Sequence, residues 1–395
     1  MDIRITPAPL HGSVTVPQSK SHCHRLLLAS HLAGSQKAVE ANIRAASCSE
    51  DIRATKQALD ALAASDAPVI DCGESGSTLR FLLPVVMTLR SEARFLGHGR
   101  LPQRPLSPLW EQMEAHGCTL QHGSGALICT GHGSMQGGDF YLPGNVSSQY
   151  VTGLLYALPL TAEGGTIHIT SPLESRSYVE MSLQVLHNFG ITITEEEAGY
   201  RIPGGQRYIA SADTVLTPEG DWSAAAFWYV ARALGEDVSC LDAGTPSVQG
   251  DRVIRDLCRH PEALHTVSAA DIPDLVPALA VLMALTPGEH RITNAARLRI
   301  KESDRLATTA AGLTALGGDV KETKDGLFIR GKRWLSGGAA DGAGDHRIVM
   351  AMAIAACRCR APVIIRGAQA AAKSYPDFFD AYRTLGGKAD AVHLR

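Results

Sequence analysis

AAGLTALGGDVKETKDGLFIRG, from Ala310 to Gly331, carries the pattern that decides the fold. An apolar helical stretch stops at Gly317-Gly318. A short alternating run follows, then Asp325-Gly326, then a second alternating run ending at Gly331. Glycine after a helix supplies its left-handed stop, and Asp-Gly suits a tight hairpin turn. The stretch therefore reads helix, strand, turn, strand. The punctuation recurs along the chain. Trp110 to Gly131 breaks at Gly117 and turns at Gly123-Ser124-Gly125. Met181 to Gly204 breaks at Gly190 and turns around Gly199, and Phe379 to Leu394 repeats the first half with its break at Gly386-Gly387. Gln57 to Cys72 and Ile254 to Ser268 read as abbreviated copies. About six similar units result, and their uneven spacing predicts a pseudo-symmetric globular fold over a solenoid of identical repeats.

Each unit opens on a second recurring feature, a Gly, Ser or Asp cluster before an apolar helix. The clusters are Ser19-Lys20-Ser21, Gly73 to Ser77, Gly144 to Ser148, Gly220 to Ser223, Asp271 to Asp274 and Gly344-Asp345-His346. Ser, Asp and Gly there are helix N-caps. The helices that follow, such as Gln149 to Leu160, Trp222 to Leu234 and Arg347 to Cys357, are apolar nearly all round. Such helices are buried. The expected fold class is α/β, with helices inside and sheets outside.

The 395 residues are too many for one ordinary domain. A 45% hydrophobic share and 19% charged residues exclude intrinsic disorder. The 37 Lys plus Arg against 40 Asp plus Glu leave no basic field to hold nucleic acid or an anionic membrane. Aromatics at 5% argue against base stacking. Nine scattered cysteines without a CxxC pair read as small buried hydrophobes in a reducing compartment. No signal pattern begins the chain, and the longest apolar run, Leu275 to Leu285, is too short to span a membrane. The expectation is a cytoplasmic monomer.

Positive charge is concentrated locally. A helix start presents unpaired N–H groups and about half a positive charge, and several in one cleft hold phosphates and carboxylates without a metal. Lys20, Arg25, Arg80 and Arg347 sit at or just inside these starts. Arg104, in Leu101 to Leu106, Lys301 and Arg305, in Arg299-Ile-Lys-Glu-Ser-Asp-Arg305, and Lys373, before Ser-Tyr-Pro376, add to them. Singly, each has an ordinary reading. Ser-Lys-Ser is a capped helix, Lys-Glu-Ser-Asp-Arg a solvated first turn, and Asp274 an N-cap. Their joint occurrence points to an anion site. Neither a GxxxxGK[ST] loop nor an HExxH pair is present.

In this order, Gly144-Asn-Val-Ser-Ser-Gln149, Arg299 to Arg305 and Gly344-Asp-His-Arg347, supported by Leu101 to Leu106 and Lys373 to Pro376, make the chain resemble the EPSP synthase family of enolpyruvyl transferases. The resemblance implies a two-domain inside-out α/β barrel of six βαβαββ units. Residues 19–219 would form one domain, residues 1–18 with 220–395 the other, and the active site would lie in the cleft between them. It implies transfer of the enolpyruvyl group of phosphoenolpyruvate to the 5-hydroxyl of shikimate 3-phosphate, with phosphate released and no metal or organic cofactor. Lys20 would lie between both substrates. Ser21, Arg25, Ser147, Ser148, Gln149, Ser175, Tyr178, Asp274 and Lys301 would hold shikimate 3-phosphate. Gly76, Arg104, Gln149, Arg305, Arg347 and Lys373 would hold phosphoenolpyruvate. Asp274 would take the hydroxyl proton and Glu302 would protonate the methylene carbon. Lys301 and Arg305 favour an ionised Glu302, which makes Lys20 the rival acid. Glu74 and Arg297 depart from the family pattern, and Gly76 leaves room for glyphosate. Two other readings are enolpyruvyl transfer to a UDP-linked aminosugar, whose loop usually carries a Cys absent from His98 to Gln103, and a non-catalytic anion-binding relative.

Overall fold

The structure, a computed structural model, describes residues 1–241, 243–244 and 246–392. Leu394, the end of the last repeat, lies outside the described residues. The chain is mixed α/β and divides into two compact units, Lys20–Pro218, and Met1–Ser19 with Glu219–Arg395. Among the described residues no helix is long and apolar enough to cross a membrane.

In Lys20–Pro218 two four-stranded sheets share one plan. The first runs Val69–Asp71, Glu92–Leu96, Leu127–Gly133, Cys118–His122 in space, and the second runs Gly138–Leu142, Gly164–Ile169, Gly199–Pro203, Thr194–Glu196. In each, the first pair is parallel and the rest antiparallel. A parallel pair needs a long crossover, and a buried helix supplies it; the antiparallel pair closes through the turn read from the glycines. The other unit repeats the plan with Thr266–Ser268, Gly288–Thr293, Leu327–Gly331 and Asp319–Glu322. It repeats again with Gly338–Asp341, Val363–Arg366, Asp2–Thr6 and Lys388–Val392, where the N-terminal strand fills the third place. Ile3 there faces Ile365, and Ile5 faces Val363. Asp237–Leu241 pairs in parallel with His11–Thr15 as a two-stranded remainder.

The abbreviated copies form no hairpin of their own. Val69–Asp71 and Thr266–Ser268 instead become the outer parallel strands of the sheets that follow. Neither stretch holds a second alternating run to fold back.

Six helices fill the interiors. They are α1 (Lys20–Leu32), α2 (Gly76–Leu89) and α3 (Ser148–Ala157) in one unit, and α4 (Trp222–Ala233), α5 (Val276–Ala284) and α6 (His346–Ala355) in the other. Every residue of α5 and α6 is buried, as is all of α3 except Gln149. The strands bury one face only, as Ala93 and Phe95 do between exposed Glu92 and Arg94. Each large apolar side chain so buried stabilises by about 1.5–3 kcal/mol. Leu279→Ala, in the middle of α5, would cost about 2–5 kcal/mol. Helices α2 and α3 meet at Gly153, where a Cβ would stand 2.3 Å from the Arg80 carbonyl. A glycine is required there for backbone approach, not for φ.

Candidate anion-binding site

Four helix starts are capped as their residues dictate. Ser75 accepts from the Thr78 amide at 3.1 Å, Ser147 from Gln149 at 3.3 Å, Asp221 from Ala224 at 2.8 Å and Asp345 from Arg347 at 3.0 Å. The expectation for Asp274 is corrected. It lies in a 3-10 turn, Pro273–Leu275, ahead of α5, whose N-cap position is Leu275. The Asp274 carboxylate is turned to two arginines instead.

In Lys20–Pro218, Lys20 opens α1 and donates to Asp51 at 2.7 Å. One turn on, Arg25 is buried. It donates to Ser182 at 2.8 Å, to the carbonyls of Ser21 at 2.7 Å and Tyr178 at 2.8 Å, and to Thr152 at 3.4 Å. Burial lowers its guanidinium to about 10, so it stays cationic at neutral pH. Ser175, buried and left-handed at φ 55°, occupies the N-cap position of the helix Arg176–Asn188 that carries Tyr178. On the neighbouring side of α3, Arg80 donates to Gln149 at 2.9 Å and to the Pro105 carbonyl at 3.0 Å, and Gln149 donates to Ser77 at 2.9 Å. A Cβ on Gly76 would stand 2.6 Å from Arg80 Nη1 and 2.8 Å from Arg104 Nη1. Thus Gly76, Arg104 and Gln149 gather around Arg80, while Ser21, Arg25 and Tyr178 gather beside Thr152. Helix α3 joins the two groups and starts at Ser147 and Ser148.

His22 and His24 of α1 add no positive charge here. Burial and Arg25 bring His22 down to about 4. Burial, Lys20 and Arg25 hold His24 well below its usual value. His24 Nδ1 contacts Thr55 at 2.7 Å, and Thr55, Thr78 and Ser75 continue the chain at 2.6 and 2.7 Å, tying α1 to α2.

In the other unit the Lys-Glu-Ser-Asp-Arg stretch is not a solvated first turn. The Arg305 side chain is 1% exposed and meets Asp345 at 2.7 Å, Asp274 at 2.8 Å and Glu302 at 2.6 Å. Arg347 holds the second Asp274 oxygen at 2.9 Å. Lys373 donates to the Gly344 carbonyl at 2.8 Å, at the start of α6. Only Arg299 keeps the bland role, pairing at the surface with Asp304 and Glu322, both at 2.9 Å.

Burial alone would raise the Asp274 carboxyl, but Arg347, Arg305 and Lys301 hold it well below the usual range. Burial lowers Lys301 to about 7; Arg297 and Arg305 push the same way, against Asp274 and Glu302. Asp345 is wholly buried, while the Asp274 and Glu302 side chains are each 18% exposed. Asp345 is therefore the anchor, and the other two carboxylates are reachable.

Reading motifs missed Asp51, Asp345, Ser182 and Thr152. Asp345 was legible as a cap, but its grip on Arg305 spans 40 positions. Asp51, in the first turn of the helix Glu50–Ala64, reads as a dipole charge and carries no signal of Lys20.

Guanidinium and ammonium groups gathered at helix starts, with reachable carboxylates among them, define a class: an α/β enzyme that handles small, multiply charged anions. A model of EPSP synthase (3-phosphoshikimate 1-carboxyvinyltransferase) matches residues 63–382. The chain belongs to the EPSP synthase family. The 3-phosphoshikimate 1-carboxyvinyltransferase of Clostridium kluyveri is 38% identical over 426 residues, covering 98% of each chain. That of Clostridioides difficile is 34% identical over 439 residues, covering 99% of each. A solved EPSP synthase from Acinetobacter baumannii, 21% identical, covers 99% of this chain and 100% of its own with a TM-score of 0.76, which shows a shared fold.

Proposed function

We infer that this chain transfers the enolpyruvyl group of phosphoenolpyruvate to the 5-hydroxyl of shikimate 3-phosphate and releases phosphate. Family membership supports the reaction. The observation that carries the residue roles is Asp274, a reachable carboxylate held between Arg305 and Arg347, with Glu302 on the same Arg305. In this reading each unit is an inside-out α/β barrel. Lys20, Arg25, Arg104 and Gln149 from one unit act with Asp274, Lys301, Arg305, Arg347 and Lys373 from the other on one pair of substrates, in a cytoplasmic monomer.

Both substrates carry a phosphate and a carboxylate, and their repulsion has to be cancelled before carbon and oxygen meet. Preorganised guanidinium groups do this at no reorganisation cost in the transition state. Asp274 is a weak base while two arginines hold it. Phosphoenolpyruvate anions draw Arg347 and Arg305 away, so the base strengthens as the substrate arrives. The hydroxyl proton passes to Asp274 as its oxygen bonds C2 of phosphoenolpyruvate, and the methylene carbon gains a proton from Glu302 or Lys20. The same group, now a base, takes a proton back from the methyl carbon, and the C–H pair forms the C=C bond as the C2–O bond breaks and phosphate leaves.

Phosphate release with both substrates, and with each omitted in turn, tests the reaction: release is expected only with both. Solvent-proton exchange into phosphoenolpyruvate tests the acid. Exchange lost in Glu302→Gln and kept in Lys20→Met assigns Glu302, and normal exchange in Glu302→Gln removes it from that role.

A further inference from the structure

Asp251 lies outside every motif that led to the site. It sits in the turn Gly250–Val253, which packs on α4, as does the Pro273–Leu275 turn that carries Asp274. Gln249 clamps the turn there. It accepts from the Trp222 amide at 3.0 Å and donates to the Gly220 carbonyl at 2.8 Å. Asp251 is 3% exposed. Ser223 Oγ donates to its Oδ2, while its Oδ1 has no hydrogen-bond partner. A carboxylate oxygen buried without a donor is rare in a folded protein and calls for a reason.

We propose that Asp251 is a positioning residue for Asp274: its buried carboxyl, fixed by Ser223 beside Asp274 and Arg347, sets how strongly Asp274 attracts a proton. The proposal rests on Asp274 being the base. Asp274 faces Asp251 from the turn before α5, Arg347 from α6 and Asp221 from the α4 cap. Lys301, Arg305 and Glu302 act on Asp274 itself. Glu219, bonded to Ser247 and Gln249, is close by, and Arg252 on the same turn is exposed.

Burial and Asp274 push the Asp251 carboxyl up to about 7, against the pull of Arg347 and Ser223. It therefore changes charge near neutrality. Protonated, it leaves Asp274 to its two arginines, and the base is weak. Ionised, it repels the Asp274 charge and shares Arg347, and both effects raise the proton affinity of Asp274.

The test is the pH profile of kcat, with both substrates saturating, for the wild type and for Asp251→Asn, Ser223→Ala and Asp274→Asn. Wild-type kcat should rise through neutrality. Asp251→Asn should lack that rise and run roughly three- to tenfold slower on its alkaline side, the size of a modest loss in base strength. Ser223→Ala should keep the rise but move its midpoint to higher pH, because the donor to the ionised carboxyl is gone. Lys301 titrates in the same range and also acts on Asp274, but a rise that comes from Lys301 would persist in Asp251→Asn, whereas one that comes from Asp251 would not. An infrared band of a protonated carboxyl should appear on the acid side and vanish in Asp251→Asn. An unchanged profile in Asp251→Asn, or an unmoved midpoint in Ser223→Ala, overturns the proposal. If Asp251→Asn does not fold, Ser223→Ala decides. Asp274→Asn separates the two layers: its inactivity keeps the base assignment whatever Asp251 does, and its retained activity defeats both.

Discussion

Gly76→Ala is the sharpest probe of the cation cluster at the start of α2. The added Cβ would stand 2.6 Å from Arg80 Nη1 and 2.8 Å from Arg104 Nη1, where ordinary contact begins at 3.4 Å. Both guanidinium tips must therefore recede by 0.6–0.8 Å. They are the far ends of flexible side chains, so the fold yields easily, and alanine suits the first turn of a helix. At an effective dielectric of 20, moving a charge from about 4 to 4.7 Å weakens an ion pair by about 0.6 kcal/mol, and two arginines double that. Poorer hydrogen-bond alignment brings the loss to about 1–2 kcal/mol. The KM for phosphoenolpyruvate should rise by about 5- to 30-fold. The KM for shikimate 3-phosphate and the urea midpoint should hardly move. Steady-state kinetics with each substrate varied, beside a urea titration, measures all three. An unchanged KM for phosphoenolpyruvate would refute the placement of Arg104 on that substrate with Arg80 as its support. A large loss of stability would show that the arginines are rigid supports.

Three other substitutions probe different terms. Asp345→Asn keeps a good cap for α6 but takes one of three carboxylates from buried Arg305, so a loss of about 3 kcal/mol in urea unfolding is expected, at the low end for a broken buried pair; a loss under about 1 kcal/mol would mean that Asp345 is not the anchor. Lys301 is cationic below about 7 and neutral above it, so calorimetric affinity for shikimate 3-phosphate should fall as pH rises through neutrality. Arg297→Asn, which removes a cation that depresses Lys301, should move that fall to higher pH; no movement would detach Arg297 from Lys301. Gly153→Ala forces a Cβ against the Arg80 carbonyl, backbone that cannot swing away, so about 1–3 kcal/mol of stability should be lost together with activity.

The cluster around Arg305 shows why its carboxylates matter as much as its cations. A bare buried guanidinium would be too costly to desolvate, so in the proposed reading Asp345 compensates it permanently while Asp274 and Glu302 compensate it exchangeably. Exposure separates the two roles: none for Asp345, 18% for each of the others.

Residue order was enough for the α/β class, the hairpins and the buried character of the six helices. Gly117, Gly190, Gly317 and Gly386 all adopt positive φ where the helices stop, and helix α5 is apolar on every side and wholly buried. These are local properties, since turn chemistry and hydrophobic period act over a few residues. The cations at the helix starts were legible for the same reason. What each side chain touches was not. Arg305 and Asp345 are 40 positions apart, Arg25 and Ser182 are 157, and Asp274 and Arg347 are 73. The N-terminal strand takes its place in a sheet beside Val363–Arg366 and Lys388–Val392 at the opposite end of the chain. An aspartate before an apolar helix has the same local sequence whether it caps that helix or turns to two arginines. Only the packing of α5 against α6 and the Arg305 helix decides between them, because charge pairing depends on distance in space and not on distance along the chain.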